Sequence, residues 1–246
     1  MNHPMELNIW RAPTDNDMYI KQEWKKAHYD AAYTRAYHIE VLQNKHGVLI
    51  MEHVAVVADT VQKILDVKMT WKINEDGKIE AVIEAIKDKE FPDLPRFGLR
   101  MFLNKKMDEI TYFGMGPQES YRDKHQASCH GLFRSKVAQM HEDYIRPQEN
   151  GSHYDCDYVE LTNGQCGIAA VSKNPFSFNA SVYTQEELER VSHNYELKES
   201  DSIVFCMDYA MNGIGSNSCG PDVLDKYRFA EEAFQFQFEL IPFVKG

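Results

Sequence analysis

No stretch of this 246-residue chain approaches the run of about 18 apolar residues that a membrane-crossing helix needs. The N-terminus, MNHPMELNIW, also lacks the charged-then-apolar layout of a secretory signal. Basic residues are short: 27 Lys and Arg stand against 38 Asp and Glu, a formal charge of -11 with pI near 5.4. With no cluster of Lys and Arg, the chain offers no surface suited to nucleic acid or to anionic membranes, and neither is expected as a partner. Cysteine is sparse and scattered. Cys129, Cys156, Cys166, Cys206 and Cys219 are odd in number and none belongs to a C-x-x-C pair. That spacing argues against a disulfide framework and against a zinc site, and free thiols fit a soluble, cytoplasmic protein. His125, Cys129 and His130 are the nearest approach to a ligand set, but no fourth ligand or zinc spacing accompanies them.

Helical periodicity is scarce as well. Thr184 with Glu187 three places on is a capping box and predicts one short helix over TQEELERV. The stretch from Glu23 to Tyr37 is a second helix candidate. Strand patterns fill the rest. In LDVKMTWKI, Leu65, Val67, Met69, Trp71 and Ile73 alternate with polar residues, NEDG follows as a turn, and Ile79, Ala81, Ile83 and Ala85 resume the alternation. Residues 64–86 are therefore a predicted hairpin. HIEVLQ and VLIMEHVAVV flank Lys45-His46-Gly47 in the same way, and RFGLRMFL, CGIAAV, FSFNASVY, SIVFCMDYA and FQFQFEL are further strands. Phe234, Phe236, Phe238 and Leu240 share one face of the last, which implies a thick core. Many strands and little helix predict an all-β fold, a large antiparallel β-sandwich. With no repeat, low-complexity tract or composition break, residues 1–246 are expected to form a single domain.

The polar and glycine content of four segments exceeds what turns require: RAPTDND (11–17), YFGMGPQESYRD (112–123), YIRPQENGSHYD (144–155) and MNGIGSNSCGP (211–221). In this order they resemble the C-terminal domain of the β-galactosidases of glycoside hydrolase family 2, which in some bacteria is a separate small subunit. The resemblance runs from about Leu7 to the final strand. It implies a supersandwich of the galactose-mutarotase-like kind, in agreement with the strand pattern. It also implies that the two catalytic glutamates of a retaining mechanism lie in a barrel domain elsewhere. This chain would then be a non-catalytic domain or small subunit, inactive alone, that completes the rim of an active site for terminal β-D-galactosides such as lactose. No carboxylate pair stands out here for a retaining reaction, which needs two carboxyl groups about 5 Å apart. The implied partners are the catalytic chain or domains and the galactoside at the shared site. No cofactor is expected in this chain, any Mg or Na of the complete enzyme being held in other domains. The family's domain has several strands before its Arg-Ala-Pro motif, whereas this chain starts six residues before Leu7, so it looks shortened there and part of a sheet is expected to be unpaired.

The candidates for the substrate rim or a domain interface are Arg11, Asp15, Asn16, Asp17, Glu119, Arg146, Glu149, Asn150, Ser216, Asn217, Ser218 and Cys219. Each has a structural alternative. Asx side chains cap turns, Gly and Pro satisfy backbone demands, and Glu119 with Tyr121, Arg122 and Asp123 forms a self-contained polar network. In the family, the loop matching 211–221 usually ends Asp-Asp-Ser-Trp and its Trp ring stacks on sugar. Here Ser216, Asn217, Ser218 and Cys219 stand in that place, and the apolar platform is lost. The alternative functions are an independent carbohydrate-binding module, an aldose-epimerase-like protein, which would need a histidine acid and a carboxylate base, and a purely structural interaction domain.

Overall fold

The alternating segments do become strands. The structure is a computed structural model that describes residues 1–215 and 220–245. Its strands are β1 (His3–Asn8), β2 (Tyr33–Asn44), β3 (Gly47–Val57), β4 (Lys63–Asn74), β5 (Ile79–Lys87), β6 (Arg96–Asn104), β7 (Glu109–Gly116), β8 (Cys129–Lys136), β9 (Ser152–Thr162), β10 (Cys166–Ser181), β11 (Ser202–Met211) and β12 (Ala233–Val244). Every pairing among them is antiparallel. One path runs β1-β6-β11-β10-β12-β5-β4-β3-β2, and β9, β7 and β8 continue from β10 on its other side.

β10 organises this arrangement. Its first part, Cys166–Val171, pairs with β12, its last part, Ser177–Ser181, pairs with β11, and β9 accompanies both. The register shifts between Val171 and Phe176, where Pro175 cannot donate to a ladder. Two arms of the sheet thus leave one strand and fold toward each other over a shared core. Phe97 of β6 meets Phe234 of β12 edge-to-face at 4.8 Å between centroids, and Tyr209 of β11 stacks on Phe234 at 4.9 Å. Trp71 of β4 reaches Phe238 at 6.2 Å. Each such buried side chain contributes about 1.5–3 kcal/mol of transfer free energy, so the Phe-bearing face of β12 is a main source of stability.

Two expectations change. CGIAAV and FSFNASVY are halves of one bent strand, β10, because the polar Ser172–Asn174 and Pro175 break the pairing pattern without ending the chain's direction. The helix expected over residues 23–37 is α1 (Ile20–Lys26); it stops at Ala27, His28 turns left-handed at φ 57°, and β2 begins at Tyr33. Burial of Trp24 fixes the helix, whereas the aromatic and β-branched run from Tyr33 suits a strand. The other helix, α2 (Gln185–Arg190), forms as the capping box predicts, with the Thr184 hydroxyl accepting from the Glu187 amide at 3.1 Å.

Burial is uneven along the longer arm. Val41, Ile50, Trp71, Ala81 and Phe238 lie in one cross-strand row. Exposure along it rises from 1% at Phe238 through 7% at Trp71 to 58% at Val41. β2, at the end of this arm, is exposed along all 12 of its residues and forms its overhang.

Candidate functional site

RAPTDND leaves β1 and turns through Asp15–Asp17 into α1. Asp17 fixes the turn by accepting from the Thr14 amide at 2.8 Å. It also accepts from Arg11 Nη2 at 2.7 Å, an ion pair sealed from solvent at both ends. The rest of the guanidinium reaches another part of the chain. Arg11 Nη1 donates to the Asn212 carbonyl at 2.6 Å and Nη2 to the Gly213 carbonyl at 3.2 Å, with Trp24 stacked 5.3 Å away. Asn16 donates to the Ile214 carbonyl at 2.7 Å. The first motif is thereby pinned to the fourth.

The second motif meets the fourth through Asp123. Its carboxylate accepts from the Ile214 amide at 3.1 Å and the Gly215 amide at 2.7 Å. A Cβ on Gly213 would sit 2.7 Å from Asp123 Oδ2 and one on Gly215 3.0 Å from it, so the glycine spacing in MNGIG is the clearance this carboxylate needs. Glu119 faces the third motif and is saturated with donors: the Gly151 amide at 2.8 Å, Tyr121 OH at 3.3 Å, Lys124 Nζ and Tyr144 OH.

The third motif is anchored from below. The Glu149 amide donates to the Ala12 carbonyl at 3.0 Å, and its carboxylate lies 3.3 Å from Arg96 Nη1. Arg96, 1% exposed, also grips Asp208 through two bonds of 3.1 and 2.5 Å. One guanidinium therefore serves two buried carboxylates. Burial pushes both carboxyls above the usual carboxylate range, against the pull of Arg96. Burial would lower the Arg96 pKa, but Asp208 and Glu149 more than reverse it and keep it charged. Asn150 accepts from the Glu142 amide at 3.0 Å, donates to the Gln148 carbonyl at 2.8 Å, and its own carbonyl accepts from Asn179. Gln148 bridges back to Asp15, accepting from its amide at 3.0 Å and donating to its carboxylate at 3.2 Å.

The four motifs converge on a cleft of about 330 Å³ whose wall includes Asn16, Asp123, Tyr144, Gln148, Glu149 and Gly215. Of the residues singled out in the sequence, Asn16 and Glu149 line it, Arg11, Asp17, Glu119 and Asn150 are buried behind it, and Asp15 and Arg146 are exposed at its margin. Ser216, Asn217, Ser218 and Cys219 lie outside the described residues. Sequence reasoning did not nominate Asp123, Arg96 or Asp208 for the site, and placed Asp123 only in a network within its own motif, whereas its carboxylate in fact reaches the Ile214 and Gly215 amides. The first had a signal in the Gly-x-Gly of the loop it supports. Arg96 and Asp208 had one in being charged residues at the start and end of apolar strands.

Chemically, the cleft presents amide, hydroxyl and carboxylate groups suited to hydroxyl-rich ligands. Among the described residues no group of three His, Cys, Asp or Glu is placed to hold a metal ion, no helix is long and apolar enough to cross a membrane, and the four described cysteines are free.

Comparison with known proteins follows the same lines. The β-galactosidase small-chain family matches residues 1–240. A β-galactosidase of Actinobacillus pleuropneumoniae is 48% identical over 241 residues, 98% of this chain and 24% of that protein. One of Staphylococcus xylosus is 37% identical over 233 residues, 95% of this chain and 23% of that protein. The chain thus spans about a quarter of the length of the curated relatives it matches. Among solved structures, the GalM/aldose epimerase homologue from C. elegans superposes with a TM-score of 0.41 at 8% identity, over 84% of this chain and 68% of that one.

Proposed function

The chain belongs to the β-galactosidase small-chain family, and from that premise we propose that it is a non-catalytic C-terminal domain or small subunit of a cytoplasmic β-galactosidase, a single β-sandwich domain over residues 1–246. It supplies one side of the rim of an active site for terminal β-D-galactosides such as lactose. The two carboxylates of a retaining glycosidase, and any Mg or Na of the complete enzyme, belong to the other domains. The observation that carries this reading is the meeting of four segments, drawn from residues 11–17, 112–123, 144–155 and 211–215, on one cleft. Buried ion pairs are a costly way to build an ordinary loop junction. They do give a rim a fixed shape, and preorganised groups lose little entropy when substrate arrives. Glu119 and Glu149 are already taken up by donors, which fits positioning and not proton transfer.

The test uses the complete chain free, and the same chain grafted into the Actinobacillus pleuropneumoniae β-galactosidase in place of the matching quarter. The graft should cleave a chromogenic β-galactoside and the free chain should not. Hydrolysis by the free chain, with contaminating enzyme excluded, would overturn the reading, as would a graft without activity.

A further inference from the structure

Three neighbouring strands lose their register at one place. β9 takes three steps from His153 to Cys156 where its partner β10 takes two, from Phe178 to Phe176, so β9 carries a bulge at Tyr154 and Asp155. β10 breaks its own pairing between Val171 and Phe176. β11 spends an extra residue, Tyr209, between Asp208 and Ala210, against the consecutive Gly98 and Phe97 of β6. All three irregularities line a single cleft of about 360 Å³, which also takes in Arg122 and Glu231. It shares no lining residue with the cleft of the four motifs. In a regular strand the neighbours Tyr154 and Asp155 would point to opposite faces, and the bulge lets both line the cleft. Asp155 holds a left-handed φ of 56°, which a non-glycine residue adopts at a cost. Departures that folding alone does not ask for are thus concentrated here.

The rings of the cleft are backed. Tyr209 stacks on Phe234, Tyr154 stacks on His125 at 5.8 Å between centroids, and each stays only partly buried. Its polar groups are unspent. Among the described residues nothing donates to the carboxylate of Asp155 or Glu231, and Ser177, 7% exposed, has no partner for its hydroxyl. Arg122 places Nη1 on the Arg228 carbonyl at 2.9 Å and has no described acceptor for its other nitrogens. Burial raises the pKa of the Tyr209 phenol, Glu231 raises it further and Arg122 opposes, so charges of both signs act on one ring. A charged ligand of either sign would therefore meet a like charge. A neutral molecule rich in hydroxyls can donate to the carboxylates, accept from the guanidinium and lay its C–H face on the rings. The volume lies in the lower part of the range of small-molecule sites.

The geometry points to a second carbohydrate subsite in this cleft, taking one pyranose ring against Tyr154 and Tyr209 with its hydroxyls held by Asp155, Glu231 and Arg122. It is independent of the rim proposed above, and hydrolysis plays no part in its test, so the two readings fail separately.

The test is an amide NMR titration of the complete free chain with methyl β-D-galactoside. Amides at residues 154–155, 176–177 and 209–211 should shift and saturate with a midpoint of roughly 1–10 mM, the affinity expected of a small, open site. Sorbitol, which has the hydroxyls but no ring to stack, should bind at least about tenfold more weakly. Asp155→Gly should abolish the shifts without lowering the melting temperature, because glycine adopts this φ freely. Should that variant fail to fold, Tyr154→Leu, which keeps apolar bulk and removes the ring, should weaken binding at least about fivefold. The inference is overturned by an absence of shifts up to about 100 mM, by shifts confined to the cleft of the four motifs, or by shifts undiminished in the variants. Equal binding of sorbitol, or tighter binding of tetramethylammonium, would also overturn it, the first removing the requirement for a ring and the second making the cleft a cation site.

Discussion

Arg96 and Val41 belong to the same sheet and have exchanged the environments their chemistry favours. The guanidinium of Arg96 is 1% exposed between Asp208 and Glu149, and Val41 is 58% exposed on a strand that has a single neighbour among the described strands. Charged groups are seldom fully buried, and scattered exposed aliphatics need no explanation, but a contiguous row of them does. At the junction of β6, β11 and residues 148–150, buried charge fixes the shape of a cleft at a cost in stability. On the overhang, exposed apolar surface costs little in stability and leaves a face open. A position occupied against its preference marks a demand other than folding, and the two regions place that demand on opposite sides of the energy balance.

The contrast breaks most visibly at Arg96. Arg96→Met leaves two carboxylates buried without their cation, and should cost about 3–5 kcal/mol of unfolding free energy, measured by urea titration followed by fluorescence. Should that variant fail to fold, Glu149→Gln, which removes one carboxylate and keeps the shape, should fold with a much smaller loss. A small loss for Arg96→Met would mean the junction is not held by charge.

Acid probes the same side of the molecule through His153. Burial holds this imidazole down at about 4, and its Nδ1–H donates to the Met115 carbonyl at 3.0 Å. Above about pH 6.5, the ordinary value, both folded and unfolded chains are neutral there and stability is unaffected. As pH falls from about 6.5 toward 4, the unfolded chain binds a proton that the folded chain refuses, so stability drops by up to roughly 3 kcal/mol and then levels off. His141, also lowered by burial, acts in the same direction. Urea titrations near pH 7 and about pH 4.5 should show the loss, and His153→Gln should remove most of it.

Asp123→Ala sharpens the comparison from inside the cleft. It frees the Ile214 and Gly215 amides, which can turn to water, so the loss should be near 1 kcal/mol while exchange at those two amides accelerates about tenfold. In the graft it should raise KM for the galactoside more than it lowers kcat, the pattern of a positioning group. The smallest effect belongs to the overhang: Val41→Lys in the free chain should shift stability by less than about 0.5 kcal/mol, read by thermal melting.

Much of this architecture was legible because strands advertise themselves. Leu65 to Ile73 and Phe234 to Leu240 alternate without interruption, and both are strands with their apolar faces inward. The bend in β10 was not legible. A strand that changes partners at Ser172–Pro175 looks like two strands until its neighbours are known. The motifs could be found because glycine, proline and acid residues are concentrated in them, yet which side chain meets which was hidden by separations such as the 91 residues between Asp123 and Ile214. Arg96 was overlooked for a related reason. Its partners Asp208 and Glu149 lie 112 and 53 residues away, and no local pattern announces a charge pair of that span.

The double membership of β10 has a kinetic side. One end of it waits for β11 and the other for β12, and β12 is synthesised after every other strand described. The arm joined through β12 cannot seal until residues 233–244 have emerged, and the pairings across that junction join residues far apart in sequence, the condition that slows β-rich proteins. During that interval the Phe-lined faces of both arms are open to other chains. Expression of this protein should therefore favour low temperature and a low level of induction, which keep the concentration of incomplete chains down until residues 233–244 are in place.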